Sequence, residues 1–158
     1  MYTKIMVPLD GSELAECVLP HVEAIASGSG AVNVVFVYVV DPIRLPASVP
    51  ARGDYGYTEK DREKLEEYRR QAAGKYLKNI VSDFTIAGAN ISYDVIEGKV
   101  ADSLTDYAVS NAVDLIVMAS HGRSGISRWV LGSVAERMVR NSCVPVLMVR
   151  APGCEPKL

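Results

Sequence analysis

The sequence predicts an α/β fold, a three-layer, doubly wound, five-stranded parallel sheet with helices on both faces. Two observations predict it. Short apolar runs bounded by turn residues alternate with segments whose apolar residues recur every three or four positions, the pattern of strands separated by amphipathic helices. The longest strand candidate, Ala31 to Val40 (AVNVVFVYVV), is too apolar to alternate, which is how strands covered on both faces read.

Lys4 to Leu9 (KIMVPL) is the first strand, ended by Asp10-Gly11-Ser12. A helix follows, with Leu14, Cys17, Val18, Val22 and Ile25 on one face. Asp10 and Glu13 resemble a capping pair at its start, and Gly28 to Gly30 stop it. Pro20 lies inside this helix and is expected to bend it, because proline removes a backbone donor. Ala31 to Val40 is the second strand. Asp41 to Tyr57, with three prolines and two glycines, is an irregular stretch long enough to be either functional or disordered.

Thr58 and Asp61 open a long helix that ends at Gly88. Its apolar face is expected to run through Leu65, Ala72, Tyr76, Leu77, Ile80 and Phe84, and its charged opening (EKDREKLEEYRR) reads as a solvated face. Ile91 to Ile96 is a third strand, Val100 to Asn111 a helix with Ala101, Leu104 and Ala108 inward, and Leu115 to Ala119 a fourth strand. A glycine-bearing loop leads to a helix over Ser133 to Asn141 and a last strand, Val146 to Val149. No internal repeat or linker is visible. Residues 1–150 read as one domain and 151–158 as a polar tail.

Bulk properties narrow the function. A chain of 158 residues is about one domain, and 49% hydrophobic with 23% charged residues is ordinary globular material. The formal charge of −2 carries no basic excess, so no nucleic-acid partner is expected. Cys17, Cys143 and Cys154 are too few and scattered for a disulfide framework or a metal knuckle, and read as thiols in a reducing compartment. No apolar run is long enough to span a membrane, and no signal peptide is seen, so a cytoplasmic protein is expected.

In a doubly wound sheet, ligands bind beyond the carboxyl ends of the strands, where strand order reverses. That points to the segments after Leu9, Val40, Ile96 and Met118. The richest runs from Met118 to Glu136. Gly122 and Gly125 let the backbone approach a ligand closely, and Gly132-Ser133 opens a helix whose first amides lack intrahelical partners, a ready anion site. The same residues have another reading: Ser133 with Glu136 forms a capping box, which accounts for the serine without a ligand. There is no GxxxxGK[ST] loop and no GxGxxG after a strand, and Ile126 breaks the GxSxG pattern around Ser124. His121 lacks a nearby carboxylate that would make it a general base, so no catalytic residue is expected. His21 is expected to be half-buried on the first helix. Arg123 and Arg128 read either as γ-phosphate partners or as solvated side chains, and Trp129 as a loop anchor or dimer contact.

Ala119-x-x-Gly122, nine residues, then Gly132-Ser133 resembles the nucleotide motif of the universal stress protein family, G-2x-G-9x-G-[S/T]. Met6 to Ser12, Val117 to Gly122 and Cys143 to Val149 are similar to that family's first, fourth and fifth strands, and the likeness covers Lys4 to Arg150. The resemblance, closest to the ATP-binding subgroup, implies a Rossmann-like fold of the adenine nucleotide alpha hydrolase kind. It implies that base and ribose lie near Pro8, Asp10 and Val39. It places the ribose and phosphate loop at Met118, Ala119, His121, Gly122, Arg123 and Gly125, and the phosphate turn at Gly132, Ser133 and Val134. ATP or AMP is the implied ligand, with Mg2+ or Mn2+ held mainly through the phosphates. A homodimer through Val146 to Val149 is also implied, and an apolar edge strand suits it. The sequence departs from the motif at Ala119, which replaces the first glycine and would weaken binding if that position needed a positive φ. The implied function is a stress-response regulator that binds nucleotide without fast catalysis. The alternatives are a slow ATPase and a nucleotide-free dimeric interaction module. Adenylating and pyrophosphatase relatives carry other signatures where this chain has Pro8-Leu9-Asp10-Gly11-Ser12.

Overall fold

The computed structural model describes residues 2–30, 33–43, 59–121 and 131–150. The elements are β1 (Lys4–Pro8), α1 (Glu13–Glu16), α2 (Leu19–Ser29), β2 (Asn33–Val40), α3 (Glu59–Asp83), β3 (Asn90–Glu97), α4 (Val100–Ser110), β4 (Leu115–Ala119), α5 (Ser133–Asn141) and β5 (Val146–Val149). The strands form one five-stranded sheet in the order β3-β2-β1-β4-β5, and every pairing is parallel.

Alternation along each strand builds two cores. Ile5 and Val7 of β1, Val34 and Phe36 of β2, and Leu115, Val117 and Ala119 of β4 face one side, where they pack with Ala15, Val18, Val22, Ala26 and Leu77 from α1 to α3. Met6, Val35, Val37, Ile116 and Met118 face the other side, against Ala101, Leu104 and Ala108 of α4 and Ala135 and Met138 of α5. The sheet is therefore the middle of three layers, and its central strands are apolar on both faces because both are covered. Phe36 is fully buried and meets Phe84 edge to face, with ring centroids 5.2 Å apart.

The first helix departs from expectation. It is not one bent helix but two, because Pro20 falls in the first turn of α2, where the missing amide would have had no partner. The chain breaks around Cys17 and Val18 rather than bending through the proline. Gly30, at φ 67°, caps the end. The cap of α1 is also different: Ser12, not Asp10, accepts from the Ala15 amide at 3.2 Å. Asp10 acts one step earlier, its Oδ1 accepting from the Ser12 amide at 3.0 Å and from Ser12 Oγ at 2.6 Å. Gly11, between them, takes φ 83°, a conformation that favours glycine.

On α3 the inward alanine is Ala73, buried beside Leu77, while Ala72 is exposed. Tyr76, Leu77, Ile80 and Phe84 of the expected stripe do pack on the core, and only the alanine differs by one position. His21 is exposed rather than half-buried. Cys17 is partly covered, and burial raises its thiol pKa, so it stays protonated. No helix among the described residues is long and apolar enough to cross a membrane.

Asp114 ties the start of β1 to the start of β4. Its carboxylate accepts from the Thr3 amide at 2.7 Å, Thr3 Oγ1 at 2.5 Å and the Lys4 amide at 3.0 Å, and its own amide donates to Lys4 O at 3.0 Å. Burial by itself would raise the Asp114 pKa, but these donors outweigh it and hold the group below the ordinary carboxylate value. A carboxyl whose pKa is lowered by folding stabilises the protein above its unfolded value, about 3.9, and that contribution is lost as pH falls through the lowered folded value. Asp114→Asn is expected to cost about 1 kcal/mol at neutral pH, a figure kept small by the exposure of the site, and to flatten the acid limb of a stability curve measured by urea unfolding from pH 7 to pH 2.

Candidate functional site

Strand order reverses between β1 and β4, so their carboxyl ends diverge into helices on opposite faces and leave a crevice between them. A cleft of about 390 Å³ opens there, within the roughly 300–1,000 Å³ typical of small-molecule sites. Pro8, Leu9 and Asp10 after β1, and Met118, Ala119, Ser120 and His121 at the end of β4, form two of its sides. Val37, Tyr38 and Val39 of β2, with Asp41 beyond it, line one end. Gly132, Ser133, Val134 and Ala135, at the start of α5, line the other. Val100 and Leu104 of α4 complete an apolar wall. The β2 and β4 ends are two strand spacings apart, roughly 10 Å.

Every expected site residue within the described part of the chain lines this one cleft. Gly122, Arg123 and Gly125 lie outside the described residues, as do Arg128 and Trp129. Ser120, Tyr38, Asp41 and Arg69 were not anticipated. Arg69 sits in the charged run read as a solvated face, yet it is half-buried and its Nη1 donates to Asp41 O at 2.8 Å. Only the placement of α3 over the end of β2 brings it there, and no local pattern marks it.

The start of α5 is stitched to the end of β4. Gly132 N donates to Ser120 O at 3.0 Å, and a Cβ built on Gly132 would stand 3.1 Å from the same oxygen. Gly132 takes φ −55° and ψ 145°, open to any residue, so the glycine serves close approach and not an unusual turn. Gly132 is the N-cap, and it makes no side-chain capping bond; Ser133 is the first helical residue. The capping-box reading of Ser133 is therefore overturned: a hydroxyl inside the helix is not placed to close it, and Glu136 pairs with Arg140 instead, at 2.9 Å. Glu136 N bonds Gly132 O at 2.9 Å, so the amides of Ser133, Val134 and Ala135 precede the first intrahelical bond. Those donors, with the positive end of the helix dipole, face the cleft side that Ser133 and Val134 line.

Ala119 ends β4 without a positive φ, which among the described non-glycine residues occurs only at Ala112. Alanine in place of the motif's first glycine is thus accommodated as ordinary strand backbone. Ser120 and His121, both buried, contact each other, with Ser120 Oγ 3.0 Å from His121 Nδ1. Tyr76, next to the β2 end, donates to Glu16 Oε1 at 2.9 Å; burial first, and then that bond, raise its phenol pKa, so it remains neutral.

The universal stress protein family model matches residues 1–150. The chain belongs to the universal stress protein family. It is 35% identical to Universal stress protein MJ0531 of Methanocaldococcus jannaschii, over 98% of this chain and 86% of that protein. The solved structure of MJ0577, a universal stress protein of the same organism, superposes with a TM-score of 0.80 at 27% identity, covering 97% of this chain and 99% of that one. A universal stress protein family protein of Arabidopsis thaliana with AMP bound shares the fold, with a TM-score of 0.61 at 14% identity over 96% of this chain and 93% of that one. The three-layer Rossmann-like fold of this chain is thus the fold of its family.

Proposed function

We propose that this universal stress protein binds an adenine nucleotide, ATP or AMP, as a regulatory ligand rather than as the substrate of fast catalysis. The observation that carries the reading is the arrangement of the cleft, with the α5 amides that precede the first intrahelical bond at one end and an apolar β2 end with a carboxylate at the other. In this reading the amides of Ser133 and Val134 and the Ser133 hydroxyl receive the phosphates. Asp10 accepts from the ribose hydroxyls, and the base lies along Val37, Val39 and Leu104. AMP held by the same fold in the Arabidopsis protein supports an adenylate of this size. Gly122, Arg123 and Gly125 of the motif would add donors beside the phosphates.

The donor set suits a metal only in part. Among the described residues no group of three or more His, Cys, Asp or Glu side chains is placed to hold an ion. Asp10 and Asp41 are the carboxylates of the cleft lining, so Mg2+ or Mn2+ would bind chiefly through phosphate oxygens. Fast phosphoryl transfer wants a positioned cation at the γ-phosphate, metal-holding carboxylates and a base. Among the described residues the cation lining the cleft is Arg69, at its β2 end. Pairing of two copies along β5, an edge strand of the described sheet where Leu147 is 39% exposed, is the assembly we propose; sedimentation equilibrium with and without ATP measures it.

Calorimetric titration with ATP, AMP and GTP, with and without Mg2+, tests the assignment. Micromolar binding of the adenine nucleotides, preference over GTP and phosphate release near background are expected. Ser133→Ala is expected to lower ATP affinity about tenfold through loss of one charge-assisted hydrogen bond. No binding of any of the three would overturn the reading.

A further inference from the structure

A second hollow adjoins the cleft at its β2 end. It has a volume of about 350 Å³ and lies between α3 and the ends of β1 and β2. Its wall on α3 is a stripe in which Tyr68 and Tyr76 flank Ala72 and Ala73, so two small side chains leave a gap between two rings. Tyr38 of β2 closes the back. It meets Tyr76 edge to face, with centroids 6.1 Å apart, and the hydroxyl of Tyr76 is anchored on Glu16. Tyr68 is 69% exposed, an uncovered aromatic surface at the rim.

Two facts join this hollow to the cleft. Tyr38 and Arg69 line both. Gly11 and Val40, which line the hollow, directly follow Asp10 and Val39, which line the cleft. Arg69 stands at the boundary, its guanidinium fixed by the bond to Asp41 O, and a fixed planar guanidinium offers a stacking face to an aromatic ring.

We propose that the hollow between α3 and the end of β2 is a subsite for an aromatic substituent carried on the base of the bound nucleotide. The proposal rests on the adenine-nucleotide reading of the cleft, since the base end is what directs a substituent there. A ring entering the gap over Ala72 and Ala73 would lie among Tyr38, Tyr68 and Tyr76 with Arg69 at its edge. Aromatic stacking of this kind tolerates many ring types, so the subsite selects for a flat apolar group rather than for one compound.

The test compares three probes by calorimetry on the full chain: AMP, AMP with a benzyl group on the exocyclic amine, and AMP with a phenyl group on the imidazole carbon. At least one substituted nucleotide is expected to bind about tenfold more tightly than AMP. Tyr68→Ala, which removes a rim ring, and Ala72→Trp, which fills the gap, are expected to abolish that advantage and leave AMP affinity unchanged. Both positions are exposed, so thermal unfolding of the two variants should match the parent. Substituted nucleotides that bind no better than AMP, or an advantage that survives both variants, would overturn the subsite alone. Failure of AMP, its two substituted forms and ATP alike to bind would overturn the subsite and the nucleotide reading together.

Discussion

Gly132→Asp is expected to lower ATP affinity at least about a hundredfold, because it acts on the phosphate end of the cleft in two ways. The backbone angles at Gly132 suit any residue, so the turn itself survives. The new Cβ, however, would stand 3.1 Å from Ser120 O and 3.7 Å from His121 Cα, both backbone atoms, and either α5 or the end of β4 must give by a few tenths of an ångström. The shift moves the Ser133 and Val134 amides, which must meet phosphate oxygens at hydrogen-bond distance. The carboxylate then adds a negative charge beside the phosphates and opposes them directly. Gly132→Ala separates the two effects, since it carries the displacement without the charge, and a loss of about tenfold is expected. Calorimetry reads the affinities, and a thermal scan shows whether the fold is kept; a drop of only a few degrees is expected for either variant. ATP affinity in Gly132→Asp equal to the parent's would count decisively against phosphates at this turn.

The largest stability effect is expected at Phe36. It is fully buried in the middle of β2, packs edge to face on Phe84, and is among the largest buried side chains on the α1–α3 side of the sheet. Truncation to alanine removes apolar area and leaves a cavity that neighbouring strands, held on both sides by parallel pairing, cannot collapse into. A cost of about 3–5 kcal/mol is expected, a large share of the roughly 5–15 kcal/mol that holds a domain of this kind together. At roughly 2–4 °C per kcal/mol the midpoint should fall by about 6–20 °C. Because Val37 and Val39 on the same strand line the cleft from the other face, ATP should recover part of that loss at saturating concentration if the variant still binds. Urea unfolding and thermal scans with and without ATP measure both effects; a shift of under 1 kcal/mol would show that Phe36 is not an anchor of the core.

Much of this was legible in the residues. The helix over Ser133 to Asn141 and the strand over Val146 to Val149 have the bounds read from the sequence. Ala101, Leu104 and Ala108 face inward as their spacing requires. The cleft-lining residues Met118, Ala119 and Gly132 were legible because ligand sites in such sheets sit at strand ends, which are marked locally, while Pro8 and Asp10 came from the family resemblance. Other features escaped. Asp10 reads as the cap with Glu13, and only the folded chain shows Ser12 accepting from Ala15 with Asp10 orienting it. Ser133 spells a capping box, yet the helix begins one residue too early for its hydroxyl to serve as the cap. On α3, a run dense in alternating charge hid the arginine that reaches the cleft.

The division has a physical basis. The sequence alone determined the two-sided apolar strands, the helix faces and the glycine-serine turn, because side-chain periodicity and backbone preference act within a few residues. Tertiary structure alone decided the β3-β2-β1-β4-β5 order that opens the crevice between β1 and β4, and the lie of α3 that sets Arg69, Tyr68 and Tyr76 beside it. Those outcomes depend on contacts between segments far apart in the chain, whose relative strengths no local pattern records.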